Sequence, residues 1–149
     1  LLNETEKAWL AGFIDGEGSL YLYNYRTNSE NSWICRLTIA NTRYDVLDQI
    51  KRMVGSKSCQ LRQMGKHPNP RAKIGWYLLW NGKHAAEVIT QVFPYLRLKN
   101  RHAEVWLSFQ KTMRPNRGGG LLDPQIVHIR KTLAAELKQL NRKGVPVDA

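Results

Sequence analysis

Apolar residues at helical spacing open the chain and predict a helix over residues 4–15. These residues are Trp9, Leu10, Phe13 and Ile14. Asn3 followed three residues later by Glu6 is typical of a capping box, in which the two residues hydrogen-bond to each other at the start of a helix. The Gly16-Glu17-Gly18 segment is expected to end this helix.

Alternating apolar and polar positions then predict a strand immediately after residue 18 and a second one over residues 33–40. Residues 26–31 form a polar turn between them. Thr42, with Asp45 three residues later, is the expected N-cap of a second helix, which Gly55 ends.

A second pair of strands is predicted over residues 57–64 and 71–80, and a helix follows over residues 83–92. The order helix, two strands, helix, two strands, helix indicates an α+β domain around one mainly antiparallel sheet. Two more helices are expected to pack on it, one over about 97–112 and one from Asp123-Pro124 to Gly144, separated by a loop at 114–120.

The length of 149 residues fits one domain. We expect a single domain over residues 1–149, with a core of roughly 4–112 and C-terminal packing helices at roughly 123–143. The 23 Lys and Arg exceed the 12 Asp and Glu, and the resulting net charge of +11 favours a polyanionic partner. No segment approaches the roughly 20 apolar residues of a membrane span, so a nucleic acid is a better candidate partner than a membrane or a small molecule.

The two cysteines, Cys35 and Cys59, lack the spacing of a zinc site. The first residues lack the features of a secretory signal. We therefore expect an intracellular protein, of an organelle or a prokaryote, that is not secreted.

Residues 10–18 read Leu-Ala-Gly-Phe-Ile-Asp-Gly-Glu-Gly and resemble the signature of the LAGLIDADG homing endonucleases. The segment from Pro94 to His102 also resembles a late segment of the members that carry one copy of this motif. The resemblance covers roughly residues 4–112. It implies the αββαββα fold of that family, with a saddle-shaped antiparallel sheet that lies on DNA.

The motif also has a physical interpretation. Ala11, Gly12 and Gly16 are small and lie on adjacent turns, so a second helix can approach closely. Two such helices would bring two Glu17 carboxylates and their metals together, and a hard divalent cation prefers carboxylate and carbonyl oxygens. We expect Ala11, Gly12 and Asp15 at a dimer interface and Glu17 and Gly16 at the metal. The alternative is a solvated Glu17 at an ordinary helix end.

The resemblance implies roles for other residues. Glu17 is the metal ligand and Asp15 a hydrogen-bonding support. Lys99 matches a family lysine near the scissile phosphate, and Asn41 matches a polar residue at the end of the second strand. The alternatives are that Lys99 is a solvated charge and that Asn41 begins a turn. Arg43 is expected in the pocket or on a phosphate.

Base contacts are expected on the face of the sheet opposite the core, because a two-stranded ribbon fits the major groove. The alternation assigns Leu20, Leu22, Leu37, Leu61 and Trp76 to the core. It assigns to the DNA face Tyr21, Tyr23, Tyr25, Arg36, Thr38, Gln60, Arg62, Lys73 and Tyr77. Of these, Arg36 and Arg62 are the candidates for guanine contacts. For the tyrosines, a solvated sheet face without base contact is the alternative.

One motif supplies one acid, whereas cutting both strands requires two. We therefore expect a homodimer that makes double-strand breaks in a long pseudo-palindromic target. The resemblance implies Mg²⁺ as cofactor, with Mn²⁺ as a substitute, and 3′ overhangs. Two alternatives stay open, namely an RNA maturase that assists intron splicing and a DNA-binding regulator without catalysis.

Overall fold

The computed structural model describes residues 1–26, 32–55, 58–113 and 122–142. The elements are α1 (Glu4–Glu17), β1 (Gly18–Asn24), β2 (Trp33–Asn41), α2 (Tyr44–Val54), β3 (Gln60–Gln63), β4 (Trp76–Asn81), α3 (Gly82–Val92), a 3₁₀ turn (Phe93–Tyr95), α4 (Asn100–Lys111) and α5 (Pro124–Leu140). The predicted αββαββα order followed by C-terminal helices is confirmed. In these ranges no helix combines the length and apolar character that crossing a bilayer requires.

The four strands form one antiparallel sheet in the order β1-β2-β4-β3. Leu20 pairs with Leu37, Leu37 with Trp80, and Leu61 with Leu78. Residues paired directly across two strands lie on the same face of a sheet. The predicted core positions of β1, β2 and β3 therefore share one face.

Helices α1 to α4 cover that face. They contribute Leu10, Ile14, Leu47, Ile50, Ile89, Trp106 and Phe109, all with no exposed surface. The sheet contributes Leu37, Ile39, Leu78 and Trp80, which are equally buried. The opposite face, which we call the outer face, holds many of the polar residues of the four strands and is partly exposed.

The junction between α1 and β1 fixes the position of Glu17. The predicted capping box is present, since Asn3 and Glu6 exchange two hydrogen bonds of 2.9 Å. At the other end, the backbone N–H of Gly18 bonds to the carbonyl of Ile14. A Cβ on Gly18 would lie 2.7 Å from that oxygen, so only glycine lets the chain turn from helix to strand here. The helix thus runs to Glu17 itself.

Strands β3 and β4 are shorter than the predicted segments 57–64 and 71–80. The backbone N–H of Met64 still bonds to the carbonyl of Gly75 at 2.8 Å, but regular pairing does not continue between these residues. The connecting segment contains Pro68 and Pro70, which have no N–H for a strand ladder.

Three helix ends differ from the prediction. Thr42 is not an N-cap, because α2 begins at Tyr44 after an Arg43 whose side chain makes no capping bond. Helix α4 begins at Asn100 and not at 97. Helix α5 ends at Leu140, and the predicted end at Gly144 lies outside the described residues. Residues 27–31 of the polar turn and the loop at 114–120 also lie outside them.

The last two helices are joined at both ends by side-chain hydrogen bonds. Arg130 of α5 is 3% exposed and donates to the hydroxyl and the carbonyl of Thr112, at the C-terminal end of α4. His102 of α4 bonds through Nε2 to the carbonyl of Leu140, the last residue of α5, at 3.0 Å. Asn141 then donates to the carbonyl of Leu20 in β1, so the pair is also attached to the sheet.

Candidate active site and nucleic-acid interface

Glu17 is the last residue of α1, and its side chain is exposed. Its carboxylate makes no hydrogen bond or ion pair within the described ranges of the chain. The C-terminal end of a helix carries a partial negative charge, which adds to that of the carboxylate. Glu17 is therefore placed where a cation, and not another side chain, would stabilise it.

Asp15 is 8% exposed and belongs to the interior of the subunit. Its carboxylate accepts hydrogen bonds from the backbone N–H groups of Arg97, at 2.7 Å, and Lys99, at 2.9 Å. These bonds hold the segment before α4 against the end of α1, and they explain why α4 begins only at Asn100. The structure thus gives Asp15 the hydrogen-bonding role that the sequence suggested.

Lys99 is brought beside the motif. Its ammonium group donates to the backbone carbonyl of Asp15. Burial lowers the pKa of Lys99 from its ordinary value, and the nearby charges of Asp15 and Glu17 partly oppose this decrease. One half-buried cation thus lies within the electrostatic reach of the exposed Glu17.

Asn41 lies at the same end of the sheet, because Ile39 pairs with Gly18 and Asn41 follows two residues later. Its side-chain oxygen accepts a hydrogen bond from the backbone N–H of Arg43 at 2.8 Å. This contact is typical of a residue that begins a turn, which is the alternative role that the sequence left open for Asn41. The Arg43 guanidinium forms an exposed ion pair with Asp45. Arg43 is thus bonded within its own loop.

The residues present fit one oxygen-bound cation incompletely. Among the described residues, no group of three or more His, Cys, Asp or Glu side chains could hold a metal. Glu17 is an unpaired carboxylate, and Gly16 beside it is exposed. A hard cation takes six or more oxygen ligands, so one subunit would supply only part of such a set.

The outer face of the sheet holds most of the residues predicted to read DNA. Register places on it Tyr21, Tyr23, Arg36, Thr38, Tyr77, Gln60 and Arg62. Tyr25 lies just beyond the end of β1 and is 52% exposed. Lys73 is not on a strand, because β4 begins only at Trp76, so its predicted place on the sheet is wrong. It is an exposed residue of the connecting segment.

The sequence interpretation missed Asn81, the last residue of β4. Asn81 pairs with Arg36, and its side-chain oxygen accepts a hydrogen bond of 2.9 Å from Arg36 Nε. The guanidinium carbon of Arg36 lies 4.3 Å from the centre of the Tyr23 ring. The alternation of side chains along the strand could have identified this residue, because Asn81 continues the outer-face positions of Tyr77 and Leu79.

The sequence profile of the LAGLIDADG endonucleases matches residues 10–113. The chain belongs to the LAGLIDADG endonuclease family. The match includes the motif, the whole sheet and α4, so Glu17, Asn41 and Lys99 of this LAGLIDADG chain all lie inside it. A search of curated proteins found no match.

Solved homing endonucleases share the fold. I-CvuI, in complex with the I-CreI target in the presence of Mg, superposes with a TM-score of 0.72 at 21% identity, covering 96% of this chain and 87% of that one. Archaeal I-Vdi141I complexed with DNA superposes with a TM-score of 0.70 at 17% identity, covering 95% of this chain and 87% of that one. I-SmaMI bound to cleaved DNA superposes with a TM-score of 0.69 at 14% identity. The alignment covers 99% of this chain but only 46% of I-SmaMI.

The motif helix of this LAGLIDADG chain presents a surface of small residues. Gly12 and Gly16 are exposed, and a Cβ at either would meet nothing within 4 Å in the described chain. Trp9 on the same helix is 43% exposed. Ala11 and Asp15, by contrast, are buried inside the subunit, so their predicted place at an interface needs correction. The surface available to a partner includes Gly12 and excludes these two side chains.

Proposed function

We propose that this chain is a site-specific homing endonuclease that makes Mg²⁺-dependent double-strand breaks as a homodimer. The observation that carries the proposal is the Glu17 carboxylate, which is exposed and without a partner in the described chain at the end of α1. The I-CvuI complexes with DNA were obtained in the presence of Mg or Ca, which supports the use of a divalent cation by this chain.

The homodimer follows from the number of acids. This chain has one motif and covers most of the I-CvuI, I-Vdi141I and I-TnaI chains, but only about half of I-SmaMI and I-GzeII. Two copies packed through the exposed side of α1, around Gly12, would bring two Glu17 residues together. The target is then a long pseudo-palindrome, and cleavage leaves 3′ overhangs.

Each residue has a distinct task in this proposal. Glu17 and the Gly16 carbonyl would hold Mg²⁺, or Mn²⁺ in its place, which would supply an activated water and stabilise the leaving oxygen. Lys99 offsets negative charge on the phosphate, and Asp15 holds Lys99 in position. Asn41 orders water with its amide group.

The remaining contacts to DNA come from the sheet and its loops. The outer-face residues read bases in the major groove. Tyr25, Arg43 and Lys73, which lie outside the strands, contact the DNA backbone. The net charge of +11 supports this extended contact.

Replacing Glu17 by Gln tests the proposal, because the amide keeps the shape and removes the anionic oxygen. The target is first selected from a randomised duplex library and then placed in a supercoiled plasmid. We expect wild-type protein to linearise it in Mg²⁺, and Glu17→Gln to bind it but cut neither strand. Glu87→Gln, which changes an exposed acid on α3, is the matched control and should cut normally.

Other outcomes would contradict the proposal in different ways. Normal linearisation by Glu17→Gln would remove this residue from the mechanism. Specific binding by wild-type protein without cleavage in Mg²⁺ or Mn²⁺ would favour a DNA-binding regulator. Assistance to intron splicing without DNA cleavage would favour a maturase.

A further inference from the structure

The side chain of Arg36 is held on two sides on the outer face of the sheet. Its Nε donates to Asn81 Oδ1 at 2.9 Å, and its guanidinium lies over the Tyr23 ring at 4.3 Å from the centre. Arg36 is on the inner strand β2, Tyr23 is on the edge strand β1, and Asn81 is on the second inner strand, β4, at the other side of β2. The guanidinium is therefore fixed by one neighbour on each side.

Asn81 bonds to Arg36 and does not cap the helix that follows it. It occupies the N-cap position of α3, where an asparagine side chain ordinarily accepts a hydrogen bond from the first turn of the helix. No such bond is present. Asn3, the N-cap of α1, does cap its helix, with an Oδ1 to Glu6 N distance of 2.9 Å. The Asn81 side chain thus serves Arg36 and not its own helix.

The hydrogen bond uses Nε and leaves the two Nη groups of Arg36. They make no other hydrogen bond within the described residues. This end of a guanidinium is the part that can donate two parallel bonds to O6 and N7 of guanine. Arg62, on β3, is exposed and has no hydrogen bond or ion pair in the same ranges, so its side chain must lose its rotational freedom when it binds.

We propose that Asn81 is a positioning residue for base recognition, which together with the Tyr23 ring aims the Nη groups of Arg36 at one guanine per half-site. This inference rests on the proposed function, in which the outer face lies in the major groove. It also changes the role of Tyr23, which supports an arginine and does not contact a base itself.

The test compares base preferences of variants. Bound sequences are selected from a randomised duplex DNA library in Ca²⁺ with each of four proteins: wild type, Arg36→Ala, Asn81→Ala and Tyr23→Leu. We expect a guanine preference at one position of each half-site that Arg36→Ala abolishes. Asn81→Ala and Tyr23→Leu should reduce the same preference on the order of five- to tenfold, because a freed arginine must again lose side-chain entropy. Asn81→Asp keeps the acceptor oxygen and should restore the preference.

Asn3→Ala is the matched control, since it removes an asparagine that does cap a helix. It should lower the melting temperature and leave every base preference unchanged. Asn81→Ala should leave the melting temperature nearly unchanged and reduce the one guanine preference. In the free protein, the ¹H–¹⁵N signal of Arg36 Nε should shift in Asn81→Ala, while that of Arg62 should not.

The outcomes separate this inference from the proposed function. If wild-type protein prefers no sequence, both fail. If Arg36→Ala abolishes a guanine preference that Asn81→Ala leaves intact, the positioning role is wrong and the DNA-reading sheet stands. Equal weakening at all positions by Asn81→Ala would also overturn the positioning role, as would an unshifted Arg36 signal.

Discussion

The two acids of the motif, Asp15 and Glu17, should separate stability from catalysis. Asp15 is buried and accepts two backbone hydrogen bonds, at 2.7 Å from Arg97 and 2.9 Å from Lys99. In Asp15→Asn the amide oxygen can keep one of these bonds. The amide nitrogen then faces the other N–H and leaves a buried donor without an acceptor.

The size of the effect follows from these contacts. A hydrogen bond to a charged group contributes about 1.5–3 kcal/mol, and a neutral one about 1 kcal/mol. Losing one bond and making the other neutral should lower the free energy of unfolding by about 2–4 kcal/mol. For a chain of this length the melting temperature should fall by on the order of 10 °C. Glu17→Gln removes no hydrogen bond or ion pair within the part of the chain that the structure describes, so it should change the free energy of unfolding by less than about 0.5 kcal/mol.

Urea denaturation followed by tryptophan fluorescence measures both variants, at one fixed protein concentration because association also stabilises the folded state. Asp15→Asn should unfold at lower urea with an unchanged slope. An unchanged midpoint for Asp15→Asn would refute the role of Asp15 as the support of the 97–99 segment. A midpoint for Glu17→Gln that falls as far as that of Asp15→Asn would show that Glu17 also holds the fold.

Three further predictions concern assembly, DNA affinity and the thiols. Gly12→Leu should leave the melting temperature of the isolated subunit nearly unchanged, since a Cβ there meets nothing within 4 Å among the described residues, but should weaken the dimer in sedimentation. An undiminished dimer would place the interface elsewhere. The logarithm of the DNA affinity should fall by about 0.9 per phosphate contacted as the logarithm of salt concentration rises, and a flat dependence would contradict a DNA ligand. Burial raises the pKa of Cys35 to about 12 and of Cys59 to about 11, so both should stay protonated and resist alkylation at pH 8 until urea unfolds the chain; rapid alkylation of the folded protein would contradict their burial.

The sequence predicted the elements whose signals are local. The spacing of apolar residues and the capping box predicted α1, and alternation predicted which side chains of β1 and β2 face the core. The same alternation placed Lys73 on a strand, because periodicity does not report where a prolyl segment interrupts the pairing of two strands.

The missing details depend on contacts between distant parts of the chain. Asp15 meets Arg97 across 82 positions, so its partners were not visible in the motif. Asn81 lay between a predicted strand and a predicted helix, and its partner Arg36 is 45 positions away. The burial of Ala11 likewise depends on how α1 lies on the sheet. Small size indicates close packing but not which neighbour packs there.

The reciprocal bonds between α4 and α5 have a consequence for the way the molecule opens. Each helix has its C-terminal carbonyls bonded by a side chain of the other, Arg130 at Thr112 and His102 at Leu140. Unravelling the C-terminal end of either helix would break one of these bonds, so we expect α4 and α5 to open as one cooperative unit in native-state hydrogen exchange. Because Asn141 attaches that unit to β1, a local opening at the C-terminal helices would also release the edge strand that carries Tyr23. We therefore expect the stability of the outer face to depend on α5, a helix that does not lie on it.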